Sequence, residues 1–238
     1  MSLALFLSLF IVLGLGYWIF MSPYSQFFGV YPWRKKTSQK IIALTFDDGP
    51  NEPYSSQIVD FLNQKGIKAT FFQVGECIKR HPEVTKKMIR SGHVIGNHSL
   101  SHKFHKYFVD PSFKKEISQN QHLIETYTGL KPALFRSPWL WRQPLLLGSL
   151  KQQQLYPISG QFAHPLEVLQ IDATKIAHAA IKKAKPGSII IFHDGYDGRG
   201  ANRSQTVEAV KIFVEQLSKS GYQFVTVDQL LGIEAYQP

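Results

Sequence analysis

Two acidic side chains stand side by side in Thr45-Phe46-Asp47-Asp48-Gly49-Pro50, where the apolar run Ile41-Ile42-Ala43-Leu44 gives way to a Gly-Pro turn. Successive side chains of a strand point to opposite faces, but at a strand's end the backbone can turn both carboxylates into one pocket. Such a pair repels itself unless a cation separates the two roles. A second cluster, Gly92-His93-Val94-Ile95-Gly96-Asn97-His98-Ser99-Leu100-Ser101-His102, offers ligands for one. His98 and His102 are four residues apart, the spacing that sets two side chains together on a helical turn. Two imidazoles and a carboxylate such as Asp48, with positions left open, suit a divalent metal such as zinc. His105 is read as facing solvent and Asn97 as bracing the turn by hydrogen bonding.

These groups need strands that end at one edge. Apolar runs predict strands at 41–46, 69–74, 93–96, 133–136, 156–159, 188–193 and 223–227. Helices fall between them. Pro53 opens one near residue 54, Pro82 opens one that Gly92 ends, and Asp110-Pro111 reads as cap and first position of one closed by Gly129. Asp172 can cap a helix to about Ala184, and residues 204–220 carry Val207, Val210, Val214 and Leu217 on one face. Alternating strands and helices imply an α/β fold with a parallel sheet, either a small, incomplete (β/α) barrel of about seven strands or an open doubly wound sheet. No Gly-x-Gly-x-x-Gly or Walker loop follows the first strand, so a nucleotide role has no support.

The chain has 238 residues, 44% of them hydrophobic and 18% charged, the balance of a globular protein. Cys77 is the only cysteine, which excludes a disulfide framework and a thiolate cluster. The net charge of +10 would attract polyanions, but the basic residues are scattered in pairs, and no nucleic-acid-binding signature accompanies them. Residues 3–21 contain no charge, close to the ~20 apolar residues of a membrane-spanning helix, with Tyr17 and Trp18 suited to the interface. The basic leader of a cleaved signal is missing. Residues 1–22 are therefore expected to be a transmembrane anchor or uncleaved signal, 23–39 a linker and 40–238 a single domain. Arg34, Lys35 and Lys36 lie too far beyond the span to fix its orientation.

Thr45-Phe46-Asp47-Asp48-Gly49-Pro50 and His98-Ser99-Leu100-Ser101-His102 resemble the first two motifs of the polysaccharide deacetylase family, the NodB-homology or carbohydrate esterase 4 group. The likeness extends through Ala69-Thr70-Phe71-Phe72, His81-Pro82-Glu83, Arg136-Ser137-Pro138-Trp139 and Ile190-Ile191-Phe192-His193-Asp194, roughly residues 40–230. The resemblance implies a distorted (β/α) barrel and metal-dependent hydrolysis of N- or O-acetyl groups on a glycan, such as a GlcNAc-containing wall polymer. Alternatives are a deformylase or deacetylase of a lipid-linked sugar, and a glycan-binding protein with little turnover. By motif match Asp48, His98 and His102 would hold the metal, Asp47 would be the general base paired with Arg136, and His193 the general acid. Trp139, with Pro138, would meet substrate, Trp141 would pack, and a backbone N–H near Trp139 would face the oxyanion. The resemblance implies catalysis outside the cytoplasm, while the basic residues after the span leave the cytoplasmic side open.

The chain departs from the family at its fourth motif. Asp-x-x-Asp-Trp is expected there, and Ser159-Gly160-Gln161-Phe162-Ala163-His164-Pro165-Leu166-Glu167 stands instead. His193 would then be tuned by another group, such as Glu167 or Asp194, or stay less basic.

Overall fold

The computed structural model describes residues 3–108 and 112–238. Helix α1 (Leu3–Phe20) leads, followed by β1 (Ile41–Asp47), α2 (Tyr54–Gln64), β2 (Thr70–Gln73), α3 (Gly75–Arg80), α4 (Pro82–Arg90) and β3 (Val94–Asn97). The chain continues through α5 (His105–Phe108), α6 (Phe113–Thr128), β4 (Leu134–Phe135), α7 (Leu146–Gln152), β5 (Tyr156–Pro157) and β6 (Gln161–Phe162). It ends with α8 (Ala173–Lys183), β7 (Ile189–His193), α9 (Ser204–Lys219), β8 (Gln223–Val225) and α10 (Val227–Leu231). The expected strand at 156–159 is shorter than its apolar run, and β6 is an additional two-residue strand that no sequence pattern announces.

The strands pair in the order β5-β4-β3-β2-β1-β7-β6, with β8 also against β1, and each of these ladders is parallel. Among the described residues no ladder joins β5 to β6, so the sheet curls as an incomplete barrel. Alternation along β1 builds two apolar layers. Ile42, Leu44 and Phe46 pack with Phe71, Phe192 and the helices outside. Ala43 packs inside with Phe72, Leu134, Ile158 and Ile189. Thr45 and Asp47 follow Ala43 on that inner face, as the two-residue period requires.

The helix punctuation acts as its chemistry dictates. Asp172 accepts the Lys175 N–H at 3.1 Å, and Gly129, at φ 72°, closes α6 by donating to the Glu125 carbonyl at 2.8 Å. The proposed Asp110-Pro111 start lies outside the described residues, and α6 is described from Phe113.

The stretch expected as a linker is packed chain. Ser22, Ser25 and Tyr31 are buried, the Lys35 N–H donates to Gly187 and the Ile189 N–H to Trp33. Its prolines and polar residues resemble a linker's, but Tyr31 joins the buried core with Phe135, Leu146 and Leu150, burying apolar surface that an extended tether would leave in water. Helix α1 exposes Leu7, Ile11, Val12, Leu15, Tyr17 and Trp18. Its 18 residues rise about 27 Å, against a hydrocarbon thickness of about 30 Å. Among the described residues no helix is long and apolar enough to cross a membrane.

Candidate active site

Sheet register places the chemistry at the C-terminal strand ends. Asp47, the last residue of β1, is the direct neighbour of His193 at the end of β7. Asn97 ends β3, and His98 follows it. Asp48 turns off β1 at φ 73°, so its carboxylate leaves the direction Asp47 takes. His98 and His102 do not share a helical turn. They sit on a loop in which Ser99 and His102 have positive φ (71° and 55°), held by Asn97 Oδ1 accepting the Ser99 N–H at 2.9 Å. Asn97 braces the turn as expected, whereas the four-residue spacing works through loop geometry. His105 is exposed.

Asp48, His98 and His102 each present a ligand atom within 4.8 Å of the others. His98 Nε2 lies 3.3 Å and His102 Nε2 3.1 Å from the same atom, Asp48 Oδ1. His98 Nδ1 is 2.7 Å from the Arg136 carbonyl, and His102 Nδ1 is 2.9 Å from Asp197 Oδ1. With Nδ1 as the hydrogen-bearing nitrogen in both rings, a bound cation would meet two converging Nε2 lone pairs. Asp197 also donates its backbone N–H to Asp48 Oδ2 at 3.1 Å, so a single residue braces two of the three donors. This donor set, buried and converging, fits a divalent cation.

Asp47 is held from the other side. Arg136, fully buried, donates through Nη1 to Asp47 Oδ1 at 2.6 Å and to Thr45 Oγ1 at 2.9 Å, and through Nη2 to the Ser159 carbonyl at 3.1 Å. Its guanidinium lies 4.1 Å from the centre of the Phe72 ring. Burial pushes the Arg136 pKa down, and the Asp47 carboxylate counters that. An ion pair this deep is costly to break from one side, on the order of 3–5 kcal/mol.

Across the cavity Glu167 takes the part the sequence left open. It is fully buried and accepts the His193 Nδ1 hydrogen at 2.6 Å, the His193 N–H at 3.0 Å and the Thr206 hydroxyl at 2.8 Å. Burial alone would lower the His193 pKa, but Glu167, with Asp48 and Asp47, raises it to about 9. Asp194 lies elsewhere. Its carboxyl accepts from Ser55 Oγ behind the Asp48-Gly49 turn, and burial raises its pKa to about 7. In the metal-free site burial would raise the Asp48 pKa, yet the two imidazoles hold it well below the usual range; His102, despite burial, rises to about 9 beside Asp48 and Asp197.

One cavity of about 470 Å³ joins these groups, lined by Asp47, Asp48, His98, His102, Trp139 and His193 among others. The profile of the family described as polysaccharide deacetylase matches residues 34–156. A peptidoglycan-N-acetylglucosamine deacetylase of Bacillus cereus is 33% identical over 204 residues, covering 85% of this chain and 93% of that one. The chain belongs to the polysaccharide deacetylase family. A crystal structure of a peptidoglycan N-acetylglucosamine deacetylase superposes with a TM-score of 0.80 at 26% identity, over 87% of this chain and 95% of that one. A carbohydrate esterase 4 pseudoenzyme from Bacillus anthracis, 21% identical over 85% of this chain and 69% of its own with a TM-score of 0.75, shares the fold. The family's fold and its hydrolytic carbohydrate deacetylase class thus carry over.

Of the substrate-facing candidates, Trp139 reaches the cavity. Trp139 and Leu140 have φ of 53° and 56°, which sets the Trp139 ring 4.3 Å from that of His102. Pro138 is buried and not among the lining residues, and Trp141 packs against Phe20. The N–H groups of Leu140 and Trp141 donate to the Ser137 and Pro138 carbonyls, which leaves Trp139 as the turn's candidate oxyanion donor. Sequence reading missed Asp197 and Met21, which no spacing ties to the motifs. Glu167 had a signal: His164-Pro165-Leu166-Glu167 keeps the Asp-x-x-Asp spacing with glutamate in second place, and Val168 stands where tryptophan was expected.

Proposed function

We propose that this protein hydrolyses the acetyl group from N-acetylated sugars of a GlcNAc-containing wall polysaccharide. One observation carries the reading: two imidazole Nε2 atoms converge on Asp48 Oδ1 in a cavity that also holds the Asp47–Arg136 and Glu167–His193 pairs. Asp48, His98 and His102 would hold the divalent metal, with zinc the best fit to this donor set. Bound there, the ion supplies Lewis acidity to the acetyl carbonyl and acidifies water. Asp47, held in place by the Arg136 guanidinium, takes the proton from the attacking water at its carboxylate. His193 carries a proton at neutral pH because Glu167 raises its pKa to about 9, and it donates that proton to the departing amine. Trp139 offers a ring face to the sugar, with Pro138 setting the turn that aims it.

The peptidoglycan relatives support a wall substrate and an extracytoplasmic domain. The uncharged run and outward-facing apolar side chains of α1 favour attachment at a membrane surface, although the described helix is not long and apolar enough to cross a bilayer. The domain is read as starting near residue 22, where the chain packs against it. A lipid-linked sugar is the second reading, favoured by Met21, which brings the end of the apolar α1 stretch to the cavity wall. A binding protein with little turnover is the less favoured reading, because Glu167 stands against His193 where the fourth-motif carboxylate was expected.

The test is acetate release by the purified full chain from acetylated chitooligosaccharides and peptidoglycan fragments. Chelation and Asp48→Ala are each expected to abolish it. Turnover surviving both would refute the metal-dependent reading.

A further inference from the structure

The segment that follows α1 precedes the residues the family profile matches, yet it is built into the cavity. Met21 lines the cavity wall. Phe20 stacks on Trp141 with ring centres 5.1 Å apart, and its carbonyl accepts the Arg142 N–H at 2.8 Å. Arg142 is buried at 1% exposure and acts as the clasp. Its Nη1 donates to the Ser22 carbonyl at 2.7 Å and to the Leu140 carbonyl at 3.0 Å. Its Nη2 donates to Ser159 Oγ at 3.0 Å, and its guanidinium lies 4.7 Å from the centre of the Tyr31 ring.

Ser159 completes the joint. Its hydroxyl donates to the Pro23 carbonyl and its N–H to the Pro32 carbonyl, each at 2.8 Å. Its own carbonyl accepts from Arg136, the partner of Asp47. The N-terminal segment, the Trp139–Leu140 turn and the arginine behind the candidate base thus share one hydrogen-bonded junction. A buried guanidinium is expensive to leave unsatisfied, so these carbonyls are held in place by the cost of releasing them.

We infer that Met21, braced by the segment of residues 20–31, forms a working wall of the active site, that Arg142 clasps this segment as a positioning residue for the Trp139–Leu140 turn, and that Met21 sets which sugar substituents the cavity admits on that side. The substrate named rests on the deacetylase reading; the wall itself rests on the contacts alone. Met21 is unbranched and adaptable, so bulk added there narrows the cavity without touching the metal donors or the acid and base.

The full chain, kept in mild detergent, is assayed on tetra-N-acetylchitotetraose with kcat and KM separated. Met21→Trp is expected to raise KM about fivefold or more while kcat stays within about twofold. Arg142→Met is expected to speed amide hydrogen exchange across residues 20–31 and 138–142, and Arg142→Lys to do so to a lesser degree. In the double variant the Met21→Trp effect is expected to shrink, because a released wall no longer constrains the substrate. An unchanged KM in Met21→Trp, unchanged exchange in Arg142→Met, or effects that simply add would each overturn the inference. A wild-type chain that releases no acetate would sink the deacetylase reading instead, and the exchange comparison would still decide whether the wall exists.

Discussion

Glu167→Gln removes a negative charge 2.6 Å from His193 Nδ1 and changes little else in size or shape. The imidazolium is favoured because that carboxylate outweighs the cost of burying it, and the balance puts the His193 pKa at about 9. With the charge gone, burial acts unopposed except by the Asp47 and Asp48 carboxylates. The amide also keeps only one oxygen for three former donors, so its NH2 group must face one of them, which further disfavours the charged ring. The His193 pKa is then expected to fall to about 6.5 or below, the ordinary imidazole value. An acid catalyst is lost as pH rises through its pKa, so the alkaline limb of the kcat/KM profile should move down by about two units or more. At pH 8 the protonated fraction falls from about nine-tenths to about three-hundredths, a loss of about 30-fold, while at pH 6 the loss is under about twofold. A cation in the neighbouring site would lower both limbs alike, so the difference between wild type and variant is the quantity to read. The assay is acetate release across pH 5–10, with thermal unfolding as the check that the fold persists. An alkaline limb that does not move, or a loss of equal size at every pH, would show that His193 does not act as an acid tuned by Glu167.

Asp197→Ala should weaken metal affinity by about 10–100-fold in a chelator-competition titration, because Asp197 orients His102 through its carboxylate. Asp197→Asn keeps an acceptor for the His102 Nδ1 hydrogen and should recover much of that affinity; equal losses in both would show that the carboxylate geometry is irrelevant. Gly195→Ala would place a Cβ 2.2 Å from the Asp48 backbone carbonyl oxygen, which has no free side-chain end to move aside. It should destabilise by about 1–3 kcal/mol or more, read as a Tm drop of several degrees at about 2–4 °C per kcal/mol. An unchanged Tm would mean that the Asp48 turn is softer than its contacts indicate.

Local pattern carried much of the site. The carboxylate pair at the end of an apolar run, the two histidines after another and the histidine closing Ile189–His193 all mark strand ends, and parallel strands bring their C-terminal ends to one edge. The four-residue spacing of the histidine pair suggests a helical turn, but positive-φ loop residues and Asn97 bring the two rings together instead. Glu167 shares the expectation with Asp194, since a search for aspartate passes over a side chain one methylene longer even at the expected spacing. The stretch 23–39 carries the prolines and polar residues of a free tether, while Tyr31 finds its partner Arg142 more than a hundred residues later.

The sequence by itself determined which residue types stand at the strand ends, and with them the class of chemistry, since strand length, turn residues and side-chain alternation are local properties of the chain. Only the tertiary structure decided where the two carboxylates point. The register that sets Asp47 beside His193, and the φ of 73° that swings Asp48 towards His98 and His102, are fixed by packing between strands remote in sequence. The same packing brings Glu167, Asp197 and Met21 to the cavity, because burial rewards contacts across any sequence distance while motifs record only the near ones.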